Sequence, residues 1–336
     1  MTIVWLKFVI CACLILFAGK RVARYADIIA YKTGLSRLWI GVLLVAVATS
    51  LPEMFTGVGS VTLLDAPDLA VGNLMGANAY NLLNIALLDV LHRGQPLLSA
   101  VSPGHILVAA LSLVPIIIAV IGIVVSDAGF HAWSVANVGI FSFAIFVSYL
   151  IAAKIIYNLE KKKTREEKEV FSGDYGDIRL GRAVFHYAIA AGIIVLSGIW
   201  LAYIGKELAS LLSLGESFIG MLFIGFATTL PEITVSVSAL FIGAKDIAIA
   251  NMFGSNLFNI ALIFLDDTLY GKAPILQSVS QNNIFPAITV MAMTAVIIAA
   301  MALRSGRRIL GISWYVPVMI AIFMAGAYVN FKMGIG

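Results

Sequence analysis

Two hexapeptides decide how this chain reads: Ala48-Thr49-Ser50-Leu51-Pro52-Glu53 and Ala227-Thr228-Thr229-Leu230-Pro231-Glu232. Each puts a proline and a glutamate inside a long apolar run, and each is followed by a second matching word. Asp68 through Asn81 reads DLAVGNLMGANAYN, and Asp246 through Asn259 reads DIAIANMFGSNLFN. The first pair is offset by 179 residues and the second by 178, so one residue differs in the intervening loop. Two matched words at almost one offset mark an internal duplication.

The background to these words is apolar throughout. Of 336 residues, 61% are hydrophobic and only 12% charged, with a mean hydropathy of +1.01. Soluble domains carry about 25% charged residues, so a soluble enzyme, a nucleic-acid binder and a disordered scaffold are excluded. Apolar runs of roughly 20 residues, enough to cross a bilayer, recur near 3–18, 38–64, 67–91, 103–126, 132–157, 182–205, 214–243, 246–269, 282–303 and 309–331. The fold class expected is therefore an all-α membrane protein with ten transmembrane helices. The N-terminus carries one weak basic residue, Lys7, and no convincing cleavage site follows the first run. It is expected to stay as a membrane helix rather than be removed as a signal peptide.

The matched words place spans 1–5 (residues 1–157) and 6–10 (residues 182–336) in two repeats, with 158–181 as a charged cytoplasmic connector. An odd number of spans per half makes the second copy enter from the opposite side, the signature of an inverted-topology repeat. With the N-terminus outside, all but four of the 22 Lys and Arg residues (Lys7, Lys206, Lys272 and Lys332) fall on the inner side, as the positive-inside rule requires. Cys11 and Cys13 point to different faces of one helix and read as packed small hydrophobes.

Only Glu53 and Glu232 fall mid-span among the 18 acidic residues. Asp89, Asp266 and Asp267 are expected near helix ends, within reach of interfacial water. A bare charge at a helix centre costs about 2.5–3.5 kcal/mol on insertion scales, and no Lys or Arg lies in either span. Protons or bound cations must neutralise the pair. Pro52 and Pro231 each leave the carbonyl four residues back without its helical donor, near Ala48–Thr49 and Ala227–Thr228. Thr49, Ser50, Thr228 and Thr229 add hydroxyls. Asn78 with Asn81, and Asn256 with Asn259, lie three apart on one face of the following span, with Ser255 beside them. Gly72, Gly76 and Gly254 suit close helix packing. Two carboxylates in an oxygen shell, without Cys or His, make a hard-cation site of the kind calcium accepts. His92, His105 and His131 sit near span ends, and His186 reads as a packed or interfacial residue. Calcium and sodium competing for one such cage would produce counter-transport.

With its paired T-S-L-P-E and T-T-L-P-E elements, each followed by G-x-N-x-x-N, the chain resembles the sodium/calcium exchanger family of the cation/calcium antiporters. The resemblance covers about 38–91 and 214–269, and the ten-span layout extends it along the chain. It implies two inverted five-helix repeats with a calcium site and flanking sodium sites between helices 2, 3, 7 and 8. By motif position, Glu53 and Glu232 would hold calcium, helped by the carbonyls of Thr49 and Thr228. Ser50, Thr229, Ser255, Asn81 and Asn259 would line the sodium sites or their surroundings. Helices 1 and 6 would slide across the core. Ala77 departs from the G-S-N that family members often carry, removing one side-chain oxygen from a sodium site. Asn259 is neutral where potassium-dependent relatives are acidic.

The function expected is a calcium-for-sodium antiporter working by alternating access in the cell membrane. It would act as a monomer in the lipid bilayer, with calcium and sodium as transported ions and no resident cofactor. A proton-coupled calcium antiporter is the alternative, and a passive cation channel a further one. An intramembrane hydrolase lacks any Ser/His or His/Asp constellation at membrane depth.

Overall fold

A computed structural model describes residues 2–92, 94–127, 134–135, 137–166, 178–211, 225–304, 306, 308–309 and 311–333. Lipid offers no partners for free N–H and C=O groups, so a spanning chain satisfies them within helices. The described chain accordingly runs as α1 (Thr2–Thr33), α2 (Arg37–Thr49), α3 (Leu51–Thr62), α4 (Pro67–Leu91), α5 (Gly104–Asp127), α6 (Ile140–Glu166), α7 (Leu180–Leu211), α8 (Gly225–Phe241), α9 (Lys245–Tyr270), α10 (Ile284–Leu303) and α11 (Tyr315–Met333). Seven of these (α1, α4, α5, α6, α7, α9, α10) are long and apolar enough to cross a membrane. The pair α2–α3, bent by 44° at Ser50, makes an eighth span. The two other expected spans coincide with shorter helices, α8 and α11, and residues 214–224 of the expected seventh span lie outside the described residues.

Several expected boundaries move. Helix α1 continues past residue 18, through Gly19 and the basic Lys20, Arg21 and Arg24, to Thr33. It stops where Gly34 adopts φ +67° and returns its N–H to the Ala30 carbonyl, a left-handed cap that glycine adopts without strain. Helix α6 runs on to Glu166, into the stretch expected to be connector, whose residues 167–177 lie outside the described residues, as does His131. The chain is also not purely helical. Ser134–Val135 pairs with Val138–Gly139, and Arg308–Ile309 with Ile312–Ser313, as two-residue antiparallel ladders. Asn137 (φ +66°) and Gly311 (φ +80°) supply the positive φ that such tight hairpins need.

Burial sorts the helices into layers. In the membrane windows of α9 and α4, 89% and 67% of residues are buried, against 22–44% in the other five. Helix α9 packs on α2, α3, α4, α5, α6 and α8, so it is the axis of the core. The approach to α2 is close because a Cβ on Gly254 would collide with the Val42 backbone. Helices α1 and α7 pack on each other and lie across α8 and α3. They meet the core through glycines: Gly19 abuts Thr234, and Gly198 abuts Pro52 and Pro231. Outward-facing residues such as Ile3, Leu196 and Phe241 are at least 70% exposed, as lipid contact demands.

Three acids expected to reach water are buried instead: Asp89, Asp266 and Asp267 are each at most 1% exposed. Two of them are tied to backbone. Asp89 Oδ1 accepts the Leu97 N–H (2.7 Å) and the Tyr315 hydroxyl (2.5 Å). Asp267 Oδ1 accepts the Ile275 N–H (2.7 Å), and its Oδ2 accepts the Gly139 N–H (2.8 Å). Both pairs span the same interval, so each acid captures the first turn of the chain leaving its own helix. A further pair of contacts crosses between the halves: Asp68 Oδ1 accepts from Ser280 N and Asn283 Nδ2, while Asp246 Oδ1 accepts Ser102 N and meets His105 Nε2 at 2.8 Å. Cys11 is buried, its thiol 2.8 Å from the Ser197 carbonyl, and Cys13 is exposed. His186 stacks on Tyr25 and contacts the Arg182 carbonyl.

Removing the Asp267 carboxylate strands two backbone donors, each worth about 1–3 kcal/mol when left unpaired in the interior. Asp267→Ala is expected to lower the detergent-solubilised melting temperature clearly, and Asp267→Asn, which keeps an acceptor, to lower it less. Equal melting temperatures for the two variants would contradict this account.

Candidate functional site

The nine residues singled out in the two motifs all lie on the core helices, and all are fully buried: Thr49, Ser50, Glu53, Asn81, Thr228, Thr229, Glu232, Ser255 and Asn259. The first motif sits where α2 turns into α3. Ser50 there has φ −90° and ψ 8°, outside the helical basin, and its turn opens the span. The turns just before it, Ile40–Val45, are π-helical, a wide ladder that often marks functional segments. Tyr187 on α7 gives its hydroxyl to the Leu44 carbonyl in that stretch (2.7 Å). The second motif behaves differently. Helix α8 runs unbroken through Pro231 over the described residues, so the expected parallel break is absent there, although the Ala227 carbonyl still has no N–H at position 231 to receive.

These turns bring the two glutamates to one place. The Ser50 hydroxyl, three residues before Glu53, donates to Glu232 Oε1 at 3.0 Å. Thr49 and Ser50 flank Glu232, Thr228 flanks Glu53, and the two carboxylates lie within range of each other's charge. The Thr49 hydroxyl reaches the Ala46 carbonyl and Asn251 Oδ1, each at 3.2 Å, and Ser255 Oγ at 3.5 Å. Thr229 turns its hydroxyl to the Phe226 carbonyl (3.1 Å). Asn251 was missed by sequence reasoning. Its amide donates to Ser236 Oγ (3.0 Å) and to the Glu232 carbonyl (3.4 Å), locking α9 to α8 beside the acid. The signal was present: Asn251 and Asn73 hold the same place in the two quoted words.

On the other side of the motifs, α4 and α9 clasp through asparagines. Asn78 Nδ2 donates to the Asn256 carbonyl (3.1 Å), and Asn256 Nδ2 donates to the Asn78 carbonyl (3.3 Å). Asn259 Nδ2 adds a bond to Asn78 Oδ1 (3.0 Å), whereas Asn81, its counterpart, makes no side-chain hydrogen bond. Both oxygens of Glu53, Glu232 Oε2, and the amide oxygens of Asn81, Asn256 and Asn259 are buried without a hydrogen-bond partner. Buried acceptors are nearly always satisfied in proteins, so a set this dense points to something positive bound among them. Among the described residues no group of three His, Cys, Asp or Glu forms a metal cluster. The donors are oxygens, and only two carry charge.

The sodium/calcium exchanger protein family description matches residues 3–155 and 183–333. The chain belongs to the sodium/calcium exchanger family. It is thus a transporter rather than an enzyme, an integral membrane cation/calcium antiporter. Among its relatives, the inner membrane protein YrbG of Escherichia coli is 28% identical over 259 residues, covering 74% of both chains. The sodium/calcium exchanger MaX1 of Methanosarcina acetivorans is 24% identical over 267 residues, covering 71% of this chain and 75% of its own. The fold is that of the sodium-calcium exchanger NCX_Mj, which superposes with a TM-score of 0.73 at 18% identity over 98% of this chain and 99% of the other.

The asparagine clasp in this exchanger is lopsided, and that is measurable. Asn78→Ala removes one donor and one occupied acceptor, and Asn256→Ala removes only a donor. Asn78→Ala is expected to destabilise the protein by about 1 kcal/mol more. In a double-mutant cycle with Asn259→Ala, coupling should appear for Asn78 and be absent for Asn256.

Proposed function

We propose that this protein exchanges calcium for sodium across the cell membrane, the two ions competing for a cage built on Glu53 and Glu232. The observation that carries this reading is the pair of fully buried carboxylates with three of their four oxygens unpartnered and no described Lys or Arg in either span. In an apolar slab such charges need compensation. Calcium binds six to eight oxygens from flexible shells, and the Thr49 and Thr228 carbonyls would complete its shell. Ser50, Thr229, Ser255, Asn81 and Asn259 would serve sodium. Ala77 leaves the first half without the hydroxyl that Ser255 provides in the second. One divalent ion or two monovalent ions balance the two acids, so the loaded states are the ones free to change sides, and coupling follows from charge alone.

The layout that supports alternating access is ten spans in two inverted repeats with the N-terminus outside, working as a monomer. MaX1 is a sodium/calcium exchanger and the Escherichia coli relative an inner membrane protein by name, in keeping with ion and place. Helices α1 and α7 form the layer that would slide, since their glycines present smooth contacts to Thr234, Pro52 and Pro231. Proton coupling is the competing reading. It draws on the same orphaned carboxylates but leaves the surrounding hydroxyls and amides without a task.

Calcium-45 flux into proteoliposomes, under imposed sodium, potassium or proton gradients, separates the readings. An opposing sodium gradient is expected to drive uptake, and Glu53→Gln or Glu232→Gln to cut it at least about tenfold, which is about 1.4 kcal/mol of barrier. Indifference to sodium together with drive from a pH gradient would replace this reading by the proton-coupled one. Gly198→Ala, which pushes a methyl into Pro52, is expected to slow exchange about tenfold while equilibrium calcium binding persists.

A further inference from the structure

The correspondence between the halves fails at one buried pair that the cage does not use. Asp266 on α9 stands 178 residues after Leu88, and Gly57 on α3 stands 179 residues before Ser236. The contact between Gly57 of the first half and Asp266 of the second therefore has Ser236 and Leu88 at its symmetry-related place. Ser236 is fully engaged, giving its hydroxyl to the Ala248 carbonyl and receiving Asn251. Asp266 is 1% exposed, and neither carboxylate oxygen has a hydrogen-bond partner. Its carboxylate lies against Gly57, where an added Cβ would be 2.6 Å from Oδ2 and 2.9 Å from Oδ1. Gly57 is four residues beyond Glu53, on the same face of α3 and about 6 Å further along it. The direction is toward the turns at 63–66 and 271–274, which the Asp65–Lys272 ion pair joins. In the orientation proposed above, that is the outer face.

A carboxylate at this depth needs a compensating positive group. Among the described residues, the charged and titratable groups at its level do not supply one. Helix α3 offers Glu53; α4 begins with Asp68, which is held by Ser280 and Asn283; α5 ends in Asp127. Helix α6 has no titratable residue before Tyr149, and Ile275–Ser278 has none. On α9 itself, Asp267 is committed to two backbone N–H groups and Tyr270 is no cation at neutral pH. A metal ion fits poorly, because the Thr56 and Ser60 hydroxyls turn back to the carbonyls of Pro52 and Thr56, at 2.9 Å each. The helical carbonyls at this level are bound within their helices. A proton needs no coordination shell.

We propose that Asp266 is a proton-binding carboxyl on the outer side of the Glu53–Glu232 cage, and that it makes cation entry from that side sensitive to outside pH. The inference rests on the exchange reading for its consequence, but the proton site stands apart from it. Ionised, Asp266 adds a negative charge one helical turn outward from Glu53 and draws cations in. Protonated, it withdraws that attraction. Leu88 gives the inner side no such group, so the effect is one-sided.

The test uses the purified full chain, the neutral near-isostere Asp266→Asn, and Asp266→Leu as the residue of the other half. Infrared difference spectra between acid and alkaline buffer should contain a protonated-carboxyl component that disappears in Asp266→Asn and survives in the Glu53→Gln/Glu232→Gln double variant. This readout holds whether or not calcium is transported. In oriented vesicles, lowering outside pH should raise the apparent KM for outside calcium at least about threefold more in the wild type than in Asp266→Asn or Asp266→Leu. Lowering inside pH should affect all three alike. An unchanged carboxyl spectrum in Asp266→Asn, or outside-pH profiles that match the wild type in both variants, would overturn the proposal. Wild-type protein that shows the Asp266 infrared component but no sodium-driven calcium flux would instead count against the exchange reading.

Discussion

Two carboxylates with no exposure, set in a slab of apolar side chains, impose the terms that the rest of the fold meets. Transfer of an ionised group to such surroundings is so unfavourable that it persists only when paired or solvated by protein dipoles. The protein supplies dipoles in quantity and no positive side chain. Hydroxyls, amides and a broken helix turn surround the acids, and only one of four carboxylate oxygens is taken, by Ser50. The contrast with the other buried acids is informative. Asp89 and Asp267 also sit inside, yet Asp89 Oδ1 holds the Leu97 N–H and the two Asp267 oxygens hold those of Ile275 and Gly139. Those acids are spent on architecture. Three of the four oxygens of Glu53 and Glu232 are left in reserve, without a partner.

Reserve of this kind is only affordable on a stiff frame. The frame here is α9, which touches six other helices, with α4 clasped to it by a reciprocal exchange of asparagine amides and backbone carbonyls. Interhelical hydrogen bonds in membranes are individually modest, averaging about 0.6 kcal/mol in measured cases. Their value at this seam is positional. They set the register of α4 against α9, the two helices that carry Asn81, Asn259 and Ser255. The clasp binds one side more than the other, since Asn259 reaches Asn78 while Asn81 stays free of side-chain bonds.

Much of this was legible in the amino-acid order because the duplicated words carry both pattern and chemistry. An acid after a proline in an apolar run is rare enough to be read without coordinates, and all nine residues chosen on that basis proved buried. What escaped reading depended on partners distant in sequence. Asp89 and Asp267 looked interfacial because their positions near helix ends were visible, while the chain turns that fold back over them were not. The apolar run near 3–18 covers only part of α1, because the helix continues through basic residues up to the left-handed Gly34. Asn251 sat in plain view within a quoted word, but its role arises from Ser236, Thr49 and the Glu232 backbone, on two other helices. The two prolines, alike in sequence, act differently: the first accompanies a bend, the second rides inside a continuous helix, as packing rather than local chemistry decides.

The layer of α1 and α7 is held to itself and to the core by contacts of different kinds. The ion pair between α1 and α7, Lys7–Glu207, is 39% and 45% exposed, and surface pairs of that sort are worth about 0–1 kcal/mol. The thiol of Cys11 against the Ser197 carbonyl adds a weak bond between the same two helices. Both contacts bind α1 to α7, and neither binds the layer to the core. Where the layer meets the core, the surfaces are Gly19 on Thr234 and Gly198 on the two prolines beside the glutamates. A glycine face gliding over proline rings offers no hydrogen bond to break and no side chain to lift. Polar ties to the core run to α2: the Tyr187 hydroxyl meets the Leu44 carbonyl in its π-helical turns, and the buried Asp27 of α1 accepts from Arg37 Nε (2.6 Å) and Nη2 (3.1 Å) at its start. The polar ties between layer and core are thus gathered on α2, at Arg37 and Leu44, whereas the contacts beside the two glutamates are glycine against proline rings.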